Sequence, residues 1–368
     1  MSLGKVQVNN LNQGQGDITA IERHFLFVGL AGAPGEESQL FSIGAQTDIE
    51  TEFSASNLRA QLIAAQLNAG QNWTAAVYPL AADEDIYDAI TAANEVQSFE
   101  MVVFCDVSST GAALSAKHDY LQSLQASHGR FVSGLAAIAG IDDEAQTWSQ
   151  YEAATVAVQA GIAAHLLVPV PQLHGNNVGV LAGRLCNRAV SIADSPMRVA
   201  TGAVLGLGAG PVDSADKPLT LATLETLANA RLSVPQWYPD LEGVYWGDGT
   251  TLEANGGDYQ YIEHLRPVHK ASREVRILAI RRIANRALNS TPASIELNKA
   301  YFMRPLRNMS KSTVILGTQF PGDIQPPQDG DITIVWTSNK AVTIYMVIRP
   351  YNSPKEITVN ILLDLSSN

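Results

Sequence analysis

The first place in this chain where residue types and spacing could do chemistry is Gly29-Leu-Ala-Gly-Ala-Pro-Gly, directly after an apolar run at residues 24–30. A glycine-rich loop behind a buried strand can cradle a phosphate on backbone N–H groups. Here the spacing is G-x-x-G-x-x-G instead of G-x-G-x-x-G. Pro34 removes a donor, and Glu36 and Glu37 would set negative charge against the anion. The lysine and hydroxyl of a P-loop are missing as well. A strand-to-loop turn accounts for these residues better. A nucleotide- or cofactor-binding α/β enzyme, with a crevice formed by residues 29–35 and Asp106, stands as the alternative reading.

The other candidates are weaker. Gly206-Leu-Gly-Ala-Gly runs into Pro211-Val-Asp-Ser-Ala-Asp where a helix should begin, which marks a loop. Asp248-Gly-Thr-Thr-Leu-Glu lacks the ligand spacing of a calcium loop. The seven histidines, at positions 24, 118, 128, 165, 174, 264 and 269, form no H-E-x-x-H pair, and there is no G-x-S-x-G elbow. Cys105 and Cys186 lie in apolar surroundings without C-x-x-C spacing, which suits a reducing compartment. No residue is therefore assigned as catalytic, cofactor-binding or metal-ligating, and no cofactor is expected.

Charge is more informative. The 368 residues are 46% hydrophobic and only 16% charged, with a formal net charge of −12. Few charges and a large apolar fraction suit either extensive subunit contact or a large α/β core. Residues 1–263 are strongly acidic, whereas residues 264–311 carry Arg266, Lys270, Arg273, Arg276, Arg281, Arg282, Arg286, Lys299, Arg304, Arg307 and Lys311 against Glu274 and Glu296. Such a block is either a solvated helix face or a surface for an acidic partner. Nucleic acid is not expected, because the remaining surface repels phosphate and no recognition motif is present. No apolar run is long enough for a spanning helix, and the N-terminus has no apolar leader, so no direct membrane insertion and a cytosolic origin are expected.

These residues must be positioned by ordered elements. Near-continuous apolar runs begin at His24, Trp73, Met101, Phe131 and His165 and read as strands buried on both faces. Helical patterns lie between and after them, at 55–68, 83–96, 112–127, 147–160 and 176–192, with Asp83 as a cap for the second. The alternation predicts an α/β fold, an open and mainly parallel sheet with helices on both faces, over residues 23–240. Residues 1–22 read as an arm bearing one short strand at Lys5, Val6, Gln7 and Val8.

A further helix is predicted at 217–230. Gly243-Val-Tyr-Trp, the Gly-Asp-Gly turn and Asp258-Tyr-Gln-Tyr-Ile suit a hairpin over 243–263, leading into a basic helix at 273–286. There Ile277, Ile280, Ile283, Ala284, Ala287 and Leu288 would form the apolar face, with Arg281, Arg282 and Arg286 opposite. A second helix should run from Ala293 to about Met309, with Arg304 and Arg307 near its end. The tail changes to period two: Ile332, Ile334 and Trp336; Val342, Ile344, Met346 and Ile348; then Ile357, Val359, Ile361, Leu363 and Leu365. The first two sets close as a hairpin over 331–349. The third, behind Pro350-Tyr-Asn-Ser-Pro, suits equally a return onto that hairpin or donation to another molecule. This gives a smaller α+β domain at 241–353 and a C-terminal arm at 354–368, with exchangeable terminal strands.

The C-terminal half resembles the sheath proteins of contractile phage tails and R-type bacteriocins. The resemblance rests on Leu227-Ala-Asn-Ala, then Gly243-Val-Tyr-Trp-Gly-Asp-Gly-Thr-Thr, then Tyr259-Gln-Tyr-Ile-Glu-His-Leu-Arg and the arginines that follow, and covers residues 195–368. Ala203-Val-Leu-Gly-Leu-Gly-Ala-Gly replaces the family's Pro-Ala-Gly element, and there is no large inserted outer domain, which marks a divergent branch. The resemblance implies a virion structural protein assembled in the host bacterial cytoplasm. Its partners would be copies of itself in stacked six-fold rings, an inner tail tube, a baseplate and a tail terminator. Neighbouring subunits would be linked by strands at residues 5–8 and at Ile357, Val359, Ile361 and Leu363. Arg304, Arg307 and Lys311, together with Arg281, Arg282 and Arg286, would be the tube-facing candidates. A different assembly component, such as a terminator or baseplate protein, is the remaining reading.

Overall fold

The structure, a computed structural model, describes residues 21–360. Its larger part is built on strands β1 (His24–Leu30), β2 (Phe41–Gly44), β3 (Thr74–Leu80), β4 (Met101–Ser108), β5 (Ser133–Ile138) and β6 (Leu167–Pro171). They form one sheet in the order β2-β3-β1-β4-β5-β6, parallel except for β2, which runs antiparallel to β3. Helices α1 (Ile49–Glu52), α2 (Asn57–Ala69), α3 (Ile86–Val96), α4 (Gly111–His128), α5 (Trp148–Gln159), α6 (Asn177–Cys186) and α7 (Leu221–Asn229) accompany the strands. Phe25, Leu26, Phe27 and Val28, and likewise residues 101–105, are sealed from solvent on both faces of the sheet. That burial is why the strands are almost continuously apolar.

Helices α2 and α6 pack unusually closely. A Cβ on Gly179 would sit 2.2 Å from the Gln61 carbonyl oxygen, and one on Gly183 would sit 2.2 Å from that of Ala65. The buried Gln61 amide knits the pair together: it donates to the Gly175 carbonyl at 2.8 Å and accepts the Gly179 N–H at 2.8 Å. Helix α3 begins at Ile86, three residues after the predicted start, and its cap lies two residues beyond Asp83. Asp85 caps it, accepting from the Tyr87 and Asp88 amides. The preceding Glu84 is bound to Ser38, Tyr78 and the Ala81 amide, so Asp83 and Glu84 belong to the loop. Helix α6 stops at Cys186, six residues short of the predicted end, where Asn187 turns to hydrogen-bond the Ala189 amide and the Asn68 carbonyl.

Strands β7 (Pro235–Tyr238) and β8 (Leu241–Trp246) form a hairpin, so the aromatic strand finds its partner upstream and not across the Gly-Asp-Gly turn. Residues 259–261 form no strand. They cross Thr250–Thr251 instead, through the Thr251 amide to the Gln260 carbonyl and one bridge from Thr250 to Tyr261. Trp246 is fully buried and donates to Ser233 Oγ at 2.9 Å, which places this hairpin in the main core.

Helix α8 (Ile262–Ile280) starts well before the predicted Arg273 and carries Pro267 within it. Ile262 and Leu265 join the large core, whereas Ala271 and Val275 join a second, smaller one. The helix therefore threads both. It ends at Ile280, with Ala284 at φ 55°, so the apolar face does not extend to Ile283, which is 74% exposed. The next predicted helix is broken in two, α9 (Pro292–Phe302) and α10 (Arg304–Met309), because Pro305 cannot donate into a continuous ladder. A short hairpin follows, β9 (Thr313–Ile315) and β10 (Thr318–Phe320), turning on Leu316 and Gly317, both at positive φ.

Strands β11 (Ile332–Trp336) and β12 (Val342–Met346) pair antiparallel, with Ile334 opposite Ile344. They form a sheet of two strands whose inner residues Ile332 and Ile334 lie on the second core. Among the described residues no third strand joins them, and residues 351–360 have no secondary structure. Lys5, Val6, Gln7, Val8, Ile361, Leu363 and Leu365 lie outside the described residues.

Candidate functional site

The parallel sheet changes winding direction between β1 and β4, where open α/β sheets take ligands. In this chain that crevice is closed. Gly29 packs with its missing Cβ 3.0 Å from Cys105 Cβ, and Gly32 lies against the Ser54 main chain. Asp106 accepts the Leu30 amide at 2.9 Å, and Glu36 accepts both the amide and the hydroxyl of Ser54. A carboxylate already occupies the Leu30 amide at the start of the loop. Burial raises the Asp106 carboxyl, with the Leu30 and Asn57 hydrogen bonds pulling the other way.

Other chemistry is equally silent. His118 and His165 come together edge to face at 5.1 Å, and His165 stacks on Tyr259 at 5.5 Å, a contact that sequence spacing did not reveal. Burial lowers both imidazoles. Among the described residues no group of three His, Cys, Asp or Glu side chains could hold a metal ion, and no helix is long and apolar enough to cross a membrane. Both cysteines are buried and free, their thiols pushed up by burial.

The basic block of residues 264–311 divides into two populations. On α8 the basic side chains are engaged by the rest of the subunit, Arg266 fully buried and Arg276 exposed. Arg266 pairs with Glu100, Lys270 with Asp323 and Arg273 with Glu22, while Arg276 donates to the His128 carbonyl. The six tube-facing candidates form no salt bridge among the described residues. Arg281 and Arg286 follow the end of α8 and are exposed; Arg304, Arg307 and Lys311 are exposed on and after α10. Tyr301 draws two of them together: the Arg282 and Arg304 guanidinium groups lie 4.1 and 4.4 Å from its ring centroid. The negative ring face offsets part of the repulsion between the two cations. Lys311 lines a shallow depression of about 150 Å³ with Lys270, Glu274 and Asp323.

The second surface is the hairpin β11–β12 with the segment behind it. Thr333 and Val335 face outward on one strand and Tyr345 on the other, Tyr345 being 58% exposed. Beyond it, Ile357 and Val359 are 74% and 75% exposed. Two alternating aliphatic residues held in water, and a sheet whose edges are unpaired among the described residues, are adhesive features, not catalytic ones.

An α/β core joined through one long helix to a smaller part with such a hairpin is the architecture of contractile sheath subunits. The sheath complex of an extracellular contractile injection system, PVC, in its contracted state superposes with a TM-score of 0.61 at 14% identity, covering 100% of this chain and 99% of that one. The contracted helical sheath of the anti-feeding prophage gives 0.60 at 13% identity, over 99% and 100%. A sheath tail protein of Desulfitobacterium hafniense gives 0.54 at 11%, over 94% and 96%. The sequence matches the DUF2586 N-terminal domain over residues 3–250 and the DUF2586 C-terminal domain over residues 258–366. It is also 47% identical, over 98% of both chains, to the protein assigned as the tail sheath protein of Haemophilus phage HP1 (strain HP1c1). The chain belongs to the DUF2586 family and, with that relative, to the tail sheath proteins of contractile phages.

Proposed function

We propose that this chain is the structural subunit of a contractile phage tail sheath, polymerising into stacked six-fold rings around an inner tube and contracting to drive that tube through the target envelope. It works without catalysis, is assembled in the host cytoplasm, and meets a baseplate and a tail terminator at its two ends. Neighbours are joined by strands from the two arms: Lys5, Val6, Gln7 and Val8 at one end, and Ile357, Val359, Ile361 and Leu363 at the other. Each adds to the β11–β12 sheet of another copy. The observation that carries this reading is the exposure of Ile357 and Val359 behind a two-stranded sheet with open edges. Main-chain bonding at a sheet edge supplies affinity, and the alternate aliphatic side chains supply register.

The basic surface of Arg304, Arg307 and Lys311, with Arg281, Arg282 and Arg286, faces the tube in the extended state. Single exposed ion pairs contribute only about 0–1 kcal/mol, so the hold comes from repetition along the tail. The first test is electron microscopy of the full chain and of the chain ending at Ser353 over a concentration series. Hollow tubes from the full chain only are expected. Tubes formed equally well by the truncated chain would overturn strand donation.

A further inference from the structure

Residues 351–360 are hydrogen-bonded to the rest of the described subunit through one side chain. Lys355 alone among them is not exposed, and it makes their only hydrogen bonds to the rest of the described chain. Its Nζ lies 2.7 and 2.6 Å from the two carboxylate oxygens of Asp248 and 2.8 Å from Glu263 Oε1. The Tyr261 ring closes the fourth side, its centroid 3.2 Å from the ammonium. Asp248 is itself held in place. Its carbonyl accepts from Ser233 Oγ at 2.7 Å, and its carboxylate accepts from the Gly249 amide at 2.9 Å. Glu263 sits in the first turn of α8 with its side chain only 2% exposed, and no aligned donor reaches it. Burial raises its carboxyl and the Lys355 charge opposes that. Two carboxylates and an aromatic face around one ammonium make a socket for a lysine, since such a cation gains most where it is desolvated and charge-assisted.

The other arm is tied to the same helix. Glu22 pairs with Arg273 at 2.9 Å, both side chains nearly buried, and Arg273 also donates to the Phe131 carbonyl. Glu263 and Arg273 are ten residues apart on α8, about 15 Å at helical rise. Both arm roots therefore meet one rigid element.

We propose that Asp248, Tyr261 and Glu263 form an ammonium socket that seats Lys355 and fixes where the C-terminal arm leaves the subunit, and that α8, holding Glu22 through Arg273 ten residues further along, is the link between the two arms. This rests on the reading that the arms are donated to neighbouring copies. A pull on one arm then reaches the other along α8, in parallel with the load that Glu22 passes into β1 two residues away. Lys355 is a positioning residue: it sets the starting point of the donated strand and takes no part in the pairing itself.

Two measurements on the full chain test this. In the unassembled subunit, acetylation by an N-hydroxysuccinimide ester followed by mass spectrometry should modify Lys355 at least about tenfold more slowly than exposed Lys340, the size of effect one charge-assisted contact gives. Asp248→Asn should remove that protection; equal rates in the unsubstituted chain would overturn the socket. In assembly, a Gly-Gly-Ser-Gly-Gly insert placed between Ser353 and Pro354, before the anchor, should leave the concentration threshold for tubes unchanged. The same insert after Glu356 should raise it about tenfold through lost pre-organisation. Equal effects at both positions would mean that only linker length matters and would overturn the positioning role. If the unmodified chain forms no tubes, strand donation itself fails, and the labelling result still decides the socket.

Discussion

Arg266 and Glu100 meet in a two-pronged ion pair, Nε to Oε1 at 2.7 Å and Nη2 to Oε2 at 3.0 Å, with 2% and 1% of their side chains exposed. The pair joins α8 to the first turn of the chain into β4, and the Arg23 amide donates to the same carboxylate. Removing one partner leaves a charge buried without compensation. Arg266→Met or Glu100→Gln should therefore each lower stability by about 3–5 kcal/mol, whereas replacing both with apolar residues should cost far less. Urea unfolding of the three variants checks this.

Acid should unfold the subunit in two stages. Burial lowers the His269 imidazole, helped by the Arg273 charge, to about 3. Burial alone would raise the Glu100 carboxyl, but Arg266, with Arg273 and the Arg23 amide, brings it down to about 2. Both folded values lie below the ordinary ones, so both contributions are complete at neutral pH and fade as pH falls. The His269 part fades from about 6.5 toward 3 and the Glu100 part from about 4.5 toward 2. His269→Leu should make the upper limb of a stability–pH curve shallower and leave the lower one, the remaining slope belonging to His24, His118, His165, His174 and His264, whose imidazoles burial also lowers; a wild-type curve flat from pH 7 to 4 would contradict the assignment.

The α2–α6 contact predicts intolerance to a single methyl group. Gly183→Ala or Gly179→Ala would drive a Cβ into a facing carbonyl, and forced overpacking costs about 1–3 kcal/mol. Gly161→Ala, with no neighbour near its Cβ, serves as the open-space control, carrying only the strain of its positive φ. The melting temperatures of the three variants separate the effects.

Tyr301→Leu should release Arg282 and Arg304 and lower stability by about 1–2 kcal/mol, two exposed cation–π contacts of about 0.5–1 kcal/mol each, while Tyr301→Trp should restore it. Arg304→Glu with Arg307→Glu should leave folding intact and produce premature contraction or failed co-assembly with the tube. Normal extended tails from that double variant, seen by electron microscopy, would rule out the tube-facing role.

Ile357→Asp with Val359→Asp places two charges on residues that are already exposed in the subunit, so its melting temperature should not move. Tube formation should be lost, because the same positions would have to enter an apolar layer in a neighbour. Unchanged tubes would separate these two residues from the donated strand.

What could be read from the sequence follows burial. Strands β1, β3, β4, β5 and β6 are sealed on both faces, so each leaves a continuous apolar run that no other element imitates. The partner of Trp246 could not be read that way. The Gly-Asp-Gly turn after it is the stronger local signal, while the true turn at Asp240 has a positive φ with no glycine to announce it. Helix α8 was hidden by Pro267, which belongs inside it, and by the arginines, which read as one outward face. Whether a basic side chain turns in depends on Glu22, Glu100 and Asp323, all distant in sequence. The same holds for Lys355, whose partners Asp248 and Glu263 lie about a hundred residues upstream. The exposed arginines were legible as a basic block; their gathering around Tyr301 was not, since it depends on the break between α9 and α10.

The sealed crevice between β1 and β4 also shapes how such a subunit could be disabled. Here Gly32 lies against Ser54, Asp106 takes the Leu30 amide and Glu36 takes the Ser54 amide, so the loop is already engaged by the subunit's own groups. If a neighbour's strand adds to β11–β12 as proposed, an extended peptide with aliphatic residues at every second position should cap that edge and poison growth of the polymer from its end.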